Sequence, residues 1–214
     1  AYSRGLEVGS YTYLLHDLFF TLVLGLVMSM NPPAEVLGQT RPFSRFLNVQ
    51  YVFNLACQII IYPAFQASSL NAIKRQSWYV EHVASSDEDL NDLDRYAWEN
   101  SVLTIIGLGQ LLIASVVSSI DRPFRMPWWR NKTHLFAFQA QILLLISFNF
   151  NEISPFCDFL QIKPFGTIGF GWALFAILIT NLVLSLLARE ISVQVTPLII
   201  NWWNTRQEQF TEQQ

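Results

Sequence analysis

Asp17 is the one carboxylate inside the long apolar segments of this chain, and its neighbours suit the binding of a cation. It sits in the run Tyr13-Leu-Leu-His-Asp-Leu-Phe-Phe-Thr-Leu-Val-Leu-Gly-Leu-Val-Met-Ser-Met30, which reads as a membrane-spanning helix. A charged group in a bilayer costs at least ~2.5 kcal/mol, so such a residue is a functional candidate by default. By three- and four-residue spacing, Tyr13, Asp17, Phe20 and Leu24 are expected on one helical face. An anion flanked by the rings of Tyr13 and Phe20 can hold an ammonium or other organic cation by charge pairing and cation–π attraction. The plainer alternative is that Asp17 caps the helix near the interface. Only 13 residues would then remain from Leu18 to Met30, too few to cross unaided. His16 faces elsewhere on this pattern and is expected to be packed or interfacial.

Composition agrees with a membrane setting. The chain has 214 residues, 52% hydrophobic and 14% charged, with a mean hydropathy of +0.31. Soluble domains carry about 25% charged residues. The net charge of −3 says little by itself. The bilayer is the expected partner, and no nucleic acid is expected. Cys57 and Cys157 are too isolated to form a disulfide framework or a zinc site. The chain starts with Ala, so it is expected to be processed, cleaved or cut from something longer. No signal peptide is visible, because the first apolar run lacks a basic segment before it and is too long.

The elements that must position Asp17 are all helical. The expected fold is an all-α, polytopic membrane bundle of five transmembrane helices, at about 11–30, 49–70, 101–120, 135–151 and 167–188. The bundle occupies residues 1–190, and 191–214 form an interfacial tail. Pro63 is expected to kink the second helix, with a neighbour satisfying the freed carbonyl. Small residues at Ala114 and Ser118, and at Gly169 and Ala173, have a spacing that allows close helix approach. The loops at 31–48 and 121–134 and the tail from Arg189 hold eight Lys/Arg, against five on the opposite side. Positive residues favour the cytosol, which predicts an outside N-terminus and a cytosolic C-terminus. Trp128, Trp129, Trp202 and Trp203 fit interfacial anchors, and the segment after Pro197 is expected to lie along the inner membrane face.

Other candidates have ordinary readings. Asn54, Gln58, Gln110, Gln139, Gln141, Asn149 and Asn181 fall in the spans, where interhelical hydrogen bonding at roughly 1 kcal/mol each accounts for them. The acidic stretch Ser85–Asp94 begins like a calcium loop at Asp87, Asp89 and Asn91. It then places Asp92 where Gly is needed and Trp98 where Glu is needed, so it reads as a solvated loop that concentrates cations by its field. His16, His82 and His134 lie in separate segments without the pairing a haem requires. Asn131-Lys-Thr133 matches a glycosylation pattern on the side predicted to be cytosolic. Gly166, Gly169 and Gly171 lack the Lys-Ser/Thr ending of a phosphate loop.

Two stretches carry a family resemblance. One runs from Leu14-Leu-His-Asp17 through Met28-Ser29 to Pro33-Ala-Glu-Val-Leu-Gly38 and Arg41-Pro42. The other comprises Trp98-Glu-Asn-Ser-Val102, Gln110-Leu-Leu-Ile-Ala114, Pro123-Phe-Arg125 and Pro127. Together they resemble the C-terminal membrane region, sixth to tenth helices, of P-type ATPases of the fifth class, B branch, which transport polyamines and other cations. The order and spacing match over nearly the whole chain, although the fourth and fifth spans match only in kind. The resemblance implies that Asp17 falls at the substrate-pathway Asp of the sixth helix. It also implies an aromatic lining position for Tyr13, a support role for the remaining helices, and an endolysosomal membrane.

The Asp-Lys-Thr-Gly-Thr phosphorylation motif does not occur in the chain. The nucleotide-binding domain, the actuator loop and the first five membrane helices of the family have no counterpart here either. No catalytic or metal-binding residue is therefore assigned, and ATP and Mg are expected only in the missing part of a pump. Two function classes stand. In one, the chain is the transport-domain portion of a cation or polyamine pump, not catalytic alone, and works with the missing catalytic half. In the other, it is a non-catalytic membrane scaffold or accessory subunit of a larger complex derived from such a pump.

Overall fold

The apolar runs form helices, and polar side chains tie these helices to one another. A computed structural model describes residues 9–35, 49–81, 96–119 and 125–212. Helix α1 spans Ser10–Ser29, α2 Val49–Lys74, α3 Trp98–Ser119, α4 Lys132–Phe150, the short α5 Ser154–Phe159 and α6 Ile168–Glu212. Among the described residues there is no strand, only an isolated bridge between Pro33 and Arg125. The fold is an all-α, multi-pass membrane bundle.

Among the described residues, four helices are long and apolar enough to cross a bilayer: α1, α3, α4 and the Ile168–Ile199 part of α6. The remaining expected span coincides with α2. At 26 residues it has the length, but Asn54, Gln58 and Gln66 dilute its apolar character. Both internal prolines are accommodated, since α2 continues through Pro63 and α6 through Pro197. The expected boundary near residue 190 thus falls within one continuous helix.

Helix α3 is the centre of the bundle. Two thirds of its spanning window (67%) is buried, against 22% for α1, 28% for α4 and 33% for α6. Val102, Ile105, Ile106 and Leu108 on α3 pack with Phe20 and Leu24 of α1, Phe148 of α4 and Leu174 of α6. Close approach occurs at glycines other than the expected pair. A Cβ on Gly109 would lie 2.5 Å from Leu178, and one on Gly171 would lie 2.9 Å from Phe150, whereas Gly169 faces open space.

The most extensive interface joins α2 to α6, and it is partly polar. Asn54, Gln58, Tyr62 and Gln66 recur every four residues along one face of α2. Gln58 Nε2 donates to Asn54 Oδ1 at 3.3 Å and to the Ser185 carbonyl of α6 at 3.4 Å. Gln66 Nε2 donates to Gln110 Oε1 at 2.9 Å, and Gln110 Nε2 donates to the Tyr62 carbonyl at 3.0 Å. Gln110 of α3 therefore supplies an interhelical donor beside Pro63, to the residue preceding the proline. Asn149 Nδ2 of α4 donates to the Gly171 carbonyl of α6 at 3.0 Å. Gln58, Gln110 and Asn149 make the interhelical bonds expected of them, whereas Asn54 accepts within α2, Asn181 accepts from Ser185 within α6, and Gln139 is exposed.

The bundle's two ends are fastened differently. At one end Thr12 Oγ1 donates to the Leu160 carbonyl at 2.6 Å, and Trp98 Nε1 donates to the Pro164 carbonyl at 3.1 Å. Trp78, Trp98, Phe165 and Phe170 stack edge to face there, and the Lys163 ammonium sits 3.8 Å above the Trp98 ring. Glu99 and Ser101, from the Glu-Asn-Ser stretch of α3, belong to this end. The Tyr79 hydroxyl donates to the Glu99 carboxylate, and the Lys163 backbone N–H donates to Ser101 Oγ at 2.7 Å. At the other end, the Met126 N–H donates to the Pro32 carbonyl at 3.0 Å and Asn31 Nδ2 donates to the Met126 carbonyl at 2.8 Å. The acidic stretch 85–94, and positions 36–48 and 120–124, lie outside the described residues.

Candidate functional site on helix α1

Helix α1 is not uniformly α-helical. Residues Leu15–Leu22 are wound as a π-helix between the α-helical turns Ser10–Leu14 and Val23–Ser29. Asp17 lies in this wider winding, a form that is rare and frequent at functional sites. Two hydrogen bonds mark the turn. Thr21 Oγ1 donates back to the His16 carbonyl, five residues earlier, at 3.0 Å. Gln141 of α4, itself fully buried, donates from Nε2 to the Phe19 carbonyl at 2.6 Å.

This winding divides the four residues that a 3.6-residue period puts on one face. Phe20 and Leu24 are buried at 0% and 4% exposure, whereas Tyr13 is 51% exposed and the Asp17 side chain 72% exposed. Asp17 stands on the outer surface of the chain with Tyr13, and Phe20 packs behind the turn against Phe19. The expected grip of one carboxylate between two rings is therefore reduced to Asp17 and Tyr13.

The outer face around Asp17 is apolar, with Tyr11, Leu14, Leu18, Leu22 and Leu26 all more than half exposed. The basic group beside Asp17 is its neighbour His16, whose Nδ1 lies 3.2 Å from Asp17 Oδ1. A residue read from the sequence as facing elsewhere is thus in contact with the candidate site. Adjacent side chains diverge on an α-helix, and a π-helix turns less per residue, which brings such neighbours closer. Gln141 was legible only as one interhelical amide among several, because its partner lies 122 residues away.

Over 219 aligned residues the chain is 26% identical to human polyamine-transporting ATPase 13A3, covering 94% of this chain and 17% of that protein. The chain is similar to part of a P-type ATPase of the 13A family. Human polyamine-transporting ATPase 13A2 is 30% identical over 139 residues, 64% of this chain and 11% of that protein. The vacuolar cation-transporting ATPase YPK9 of Saccharomyces cerevisiae is 24% identical over 130 residues, 61% of this chain and 8% of its own length. No family model matches the chain. The chain thus spans about a sixth of the length of the 13A3 protein that it resembles end to end.

The phosphorylation motif is absent from the sequence. Among the described residues no three His, Cys, Asp or Glu side chains converge.

Proposed function

We propose that this chain is the C-terminal transport-domain portion of a P-type ATPase-like cation or polyamine transporter. In this reading α1 contributes Asp17 to the substrate pathway, and α2–α6 form its support. The observation that carries the reading is an exposed carboxylate in the middle of an apolar helix face. Facing hydrocarbon, that carboxylate would cost at least ~2.5 kcal/mol. Covered by helices of the remaining transporter, it lines a polar path and meets a cation. Tyr13, one turn earlier and half exposed, offers its ring to the same cation. Phe20 serves from behind, by filling the space between the π-wound turn and α3.

The packing supports this assignment of α2–α6. Helix α3 is buried on most sides, and the amide bonds between α2, α3 and α6 fix their register, so this part behaves as a rigid frame. Helix α1 is attached at its two ends and at Gln141, and leaves its outer face open. ATP and Mg belong to the portion of the transporter outside this chain, and the membrane is assigned as endolysosomal by the family resemblance.

Affinity purification of the chain from its native membrane in mild detergent, with identification of its stable partner, tests the reading. A partner or continuous polypeptide bearing the phosphorylation motif supports the pump. Stoichiometric association with subunits of another membrane complex, none bearing that motif, favours the scaffold. In the reconstituted pump, Asp17→Asn is expected to lower spermine-stimulated ATP turnover by about tenfold or more, the loss of a direct charge contact. Unchanged stimulation in Asp17→Asn would return Asp17 to a capping role.

A further inference from the structure

We propose that Gln141 is a positioning residue: its hydrogen bond to the Phe19 carbonyl sets the π-wound turn of α1 and, through that turn, the direction in which Asp17 points. Its functional meaning rests on the cation-pathway reading of Asp17, whereas the structural claim stands apart from it.

A helix crossing hydrocarbon must satisfy its carbonyls internally or with a neighbour's donor. Passing from α to π winding changes which N–H each carbonyl faces, so carbonyls at the transition gain from an outside donor. Gln141 supplies one at Phe19, in the second half of the Leu15–Leu22 segment. Its side chain has 0% exposure, so the donor cannot be replaced by lipid or bulk water without repacking. The contact is short, at 2.6 Å, and joins α4 to the side of α1 that carries Phe20.

The consequence falls on Asp17. With the wider winding, Phe20 and Leu24 stay in the core while Asp17 remains outside beside His16. If α1 rewound to α geometry, the three- and four-residue spacing would bring Asp17 round toward the face of Phe20 and Leu24. The His16 Nδ1–Asp17 contact would open at the same time, because adjacent side chains on an α-helix point apart. Gln141 therefore selects between an outward and an inward carboxylate.

The sequence offers a clean probe, since Phe19-Phe20 is its only consecutive phenylalanine pair. Carbonyl-13C and amide-15N phenylalanine labelling of the full 214-residue chain in nanodiscs gives one carbonyl–amide correlation, from the Phe19 carbonyl to the Phe20 amide. Gln141→Met, similar in length but without a donor, is expected to move this peak upfield in the carbonyl dimension. It is also expected to move the His16 Nδ1 resonance to the value found in Asp17→Asn. Asn181→Leu, which removes a buried amide from α6, should leave both signals in place and so controls for general destabilisation.

An unmoved Phe19 carbonyl in Gln141→Met would overturn the proposal. So would a moved carbonyl with an unchanged His16 signal, because Gln141 would then hold the backbone without directing Asp17. Titration of the wild-type chain with spermine separates the two ideas. Signals that respond to Gln141→Met but not to spermine sustain the positioning role and count against the cation pathway.

Discussion

Asn131 holds the Val27 carbonyl of α1 while it caps α4. Its Nδ2 donates to that carbonyl at 3.2 Å, and its Oδ1 accepts the N–H groups of Thr133 and His134 at 3.1 and 3.2 Å. One side chain thus ends one helix contact and starts another, and it is 8% exposed. Asn131→Ala is expected to destabilise the bundle by about 1–2 kcal/mol for the lost cap, plus the cost of the unmet Val27 carbonyl. Asn131→Asp keeps the cap acceptor and loses the donor, so it should fall between wild type and Ala in thermal unfolding in detergent. The same burial leaves no room for a glycan. Glycosidase treatment should not change the chain's gel mobility.

Gly166 gives a sharper packing test. A Cβ there would lie 2.6 Å from the Trp78 ring, whereas one on Gly107 would meet nothing within 4 Å. The Trp78 ring is held by Trp98 and Phe170 and has little freedom to withdraw. Gly166→Ala should therefore cost about 1–3 kcal/mol by overpacking and alter the tryptophan emission. Gly107→Ala should be nearly neutral or slightly stabilising, as expected of a helix-interior glycine. Equal melting temperatures for the two variants would contradict this packing.

The contrast between these glycines and Asp17 shows what the sequence makes legible. Long apolar runs give α1, α3, α4 and α6 directly, because hydropathy is a property of each segment alone. The interhelical use of Gln58, Gln110 and Asn149 also follows, since a buried amide in lipid has few other options. The face of Asp17 does not follow. A 3.6-residue period does not hold across Leu15–Leu22, where the winding is π and Gln141, far along the chain, bonds the Phe19 carbonyl. The same winding brings His16 to Asp17, which a 3.6-residue period does not foresee. The continuity of α6 through Pro197 was hidden too, because a proline reads locally as a stop even where the helix carries on past it.

Cys157 and the pH dependence of stability are linked. The thiol is 1% exposed, and burial, with a smaller contribution from the Asp158 charge, pushes its pKa from 9.0 up to about 11. The folded state therefore favours the neutral thiol. Stability from this group is intact below the unfolded pKa near 9.0 and is lost as pH rises toward about 11, since only the unfolded chain ionises in that window. Cys157→Ala should abolish this alkaline loss while leaving other pH effects. In the wild-type chain Cys157 should resist maleimide at neutral pH until the chain is unfolded in dodecyl sulfate. Rapid labelling of native Cys157 would show that this end of the bundle opens.

Two loop ends provide a test of the expected helix orientation. Ser77 follows α2 and Arg125 precedes α4, and both are exposed. The charge bias of eight Lys/Arg against five predicts Ser77 outside and Arg125 in the cytosol. In a chain with Cys57 and Cys157 replaced by Ala, Ser77→Cys should react with an impermeant maleimide added outside. Arg125→Cys should react only after the membrane is opened. Reaction of both from one side would reject a membrane crossing by α3, the helix between them.

Purified alone, the chain is expected to hydrolyse no ATP and to move no polyamine across a vesicle membrane. Coupling needs a phosphorylatable Asp and a nucleotide domain that drive membrane helices between two states, and this sequence holds no phosphorylation motif. The open face of α1 adds a physical reason. Asp17 at 72% side-chain exposure, beside Leu14, Leu18 and Leu22, leaves the isolated bundle with a charged group facing lipid or detergent. A cost of at least ~2.5 kcal/mol is a large part of the stability of a small bundle. Asp17→Leu should therefore stabilise the isolated chain, raising its melting temperature in detergent, even as it removes the proposed cation contact. A lower melting temperature in Asp17→Leu would mean that the carboxylate is already satisfied within the chain and that no covering helix is required.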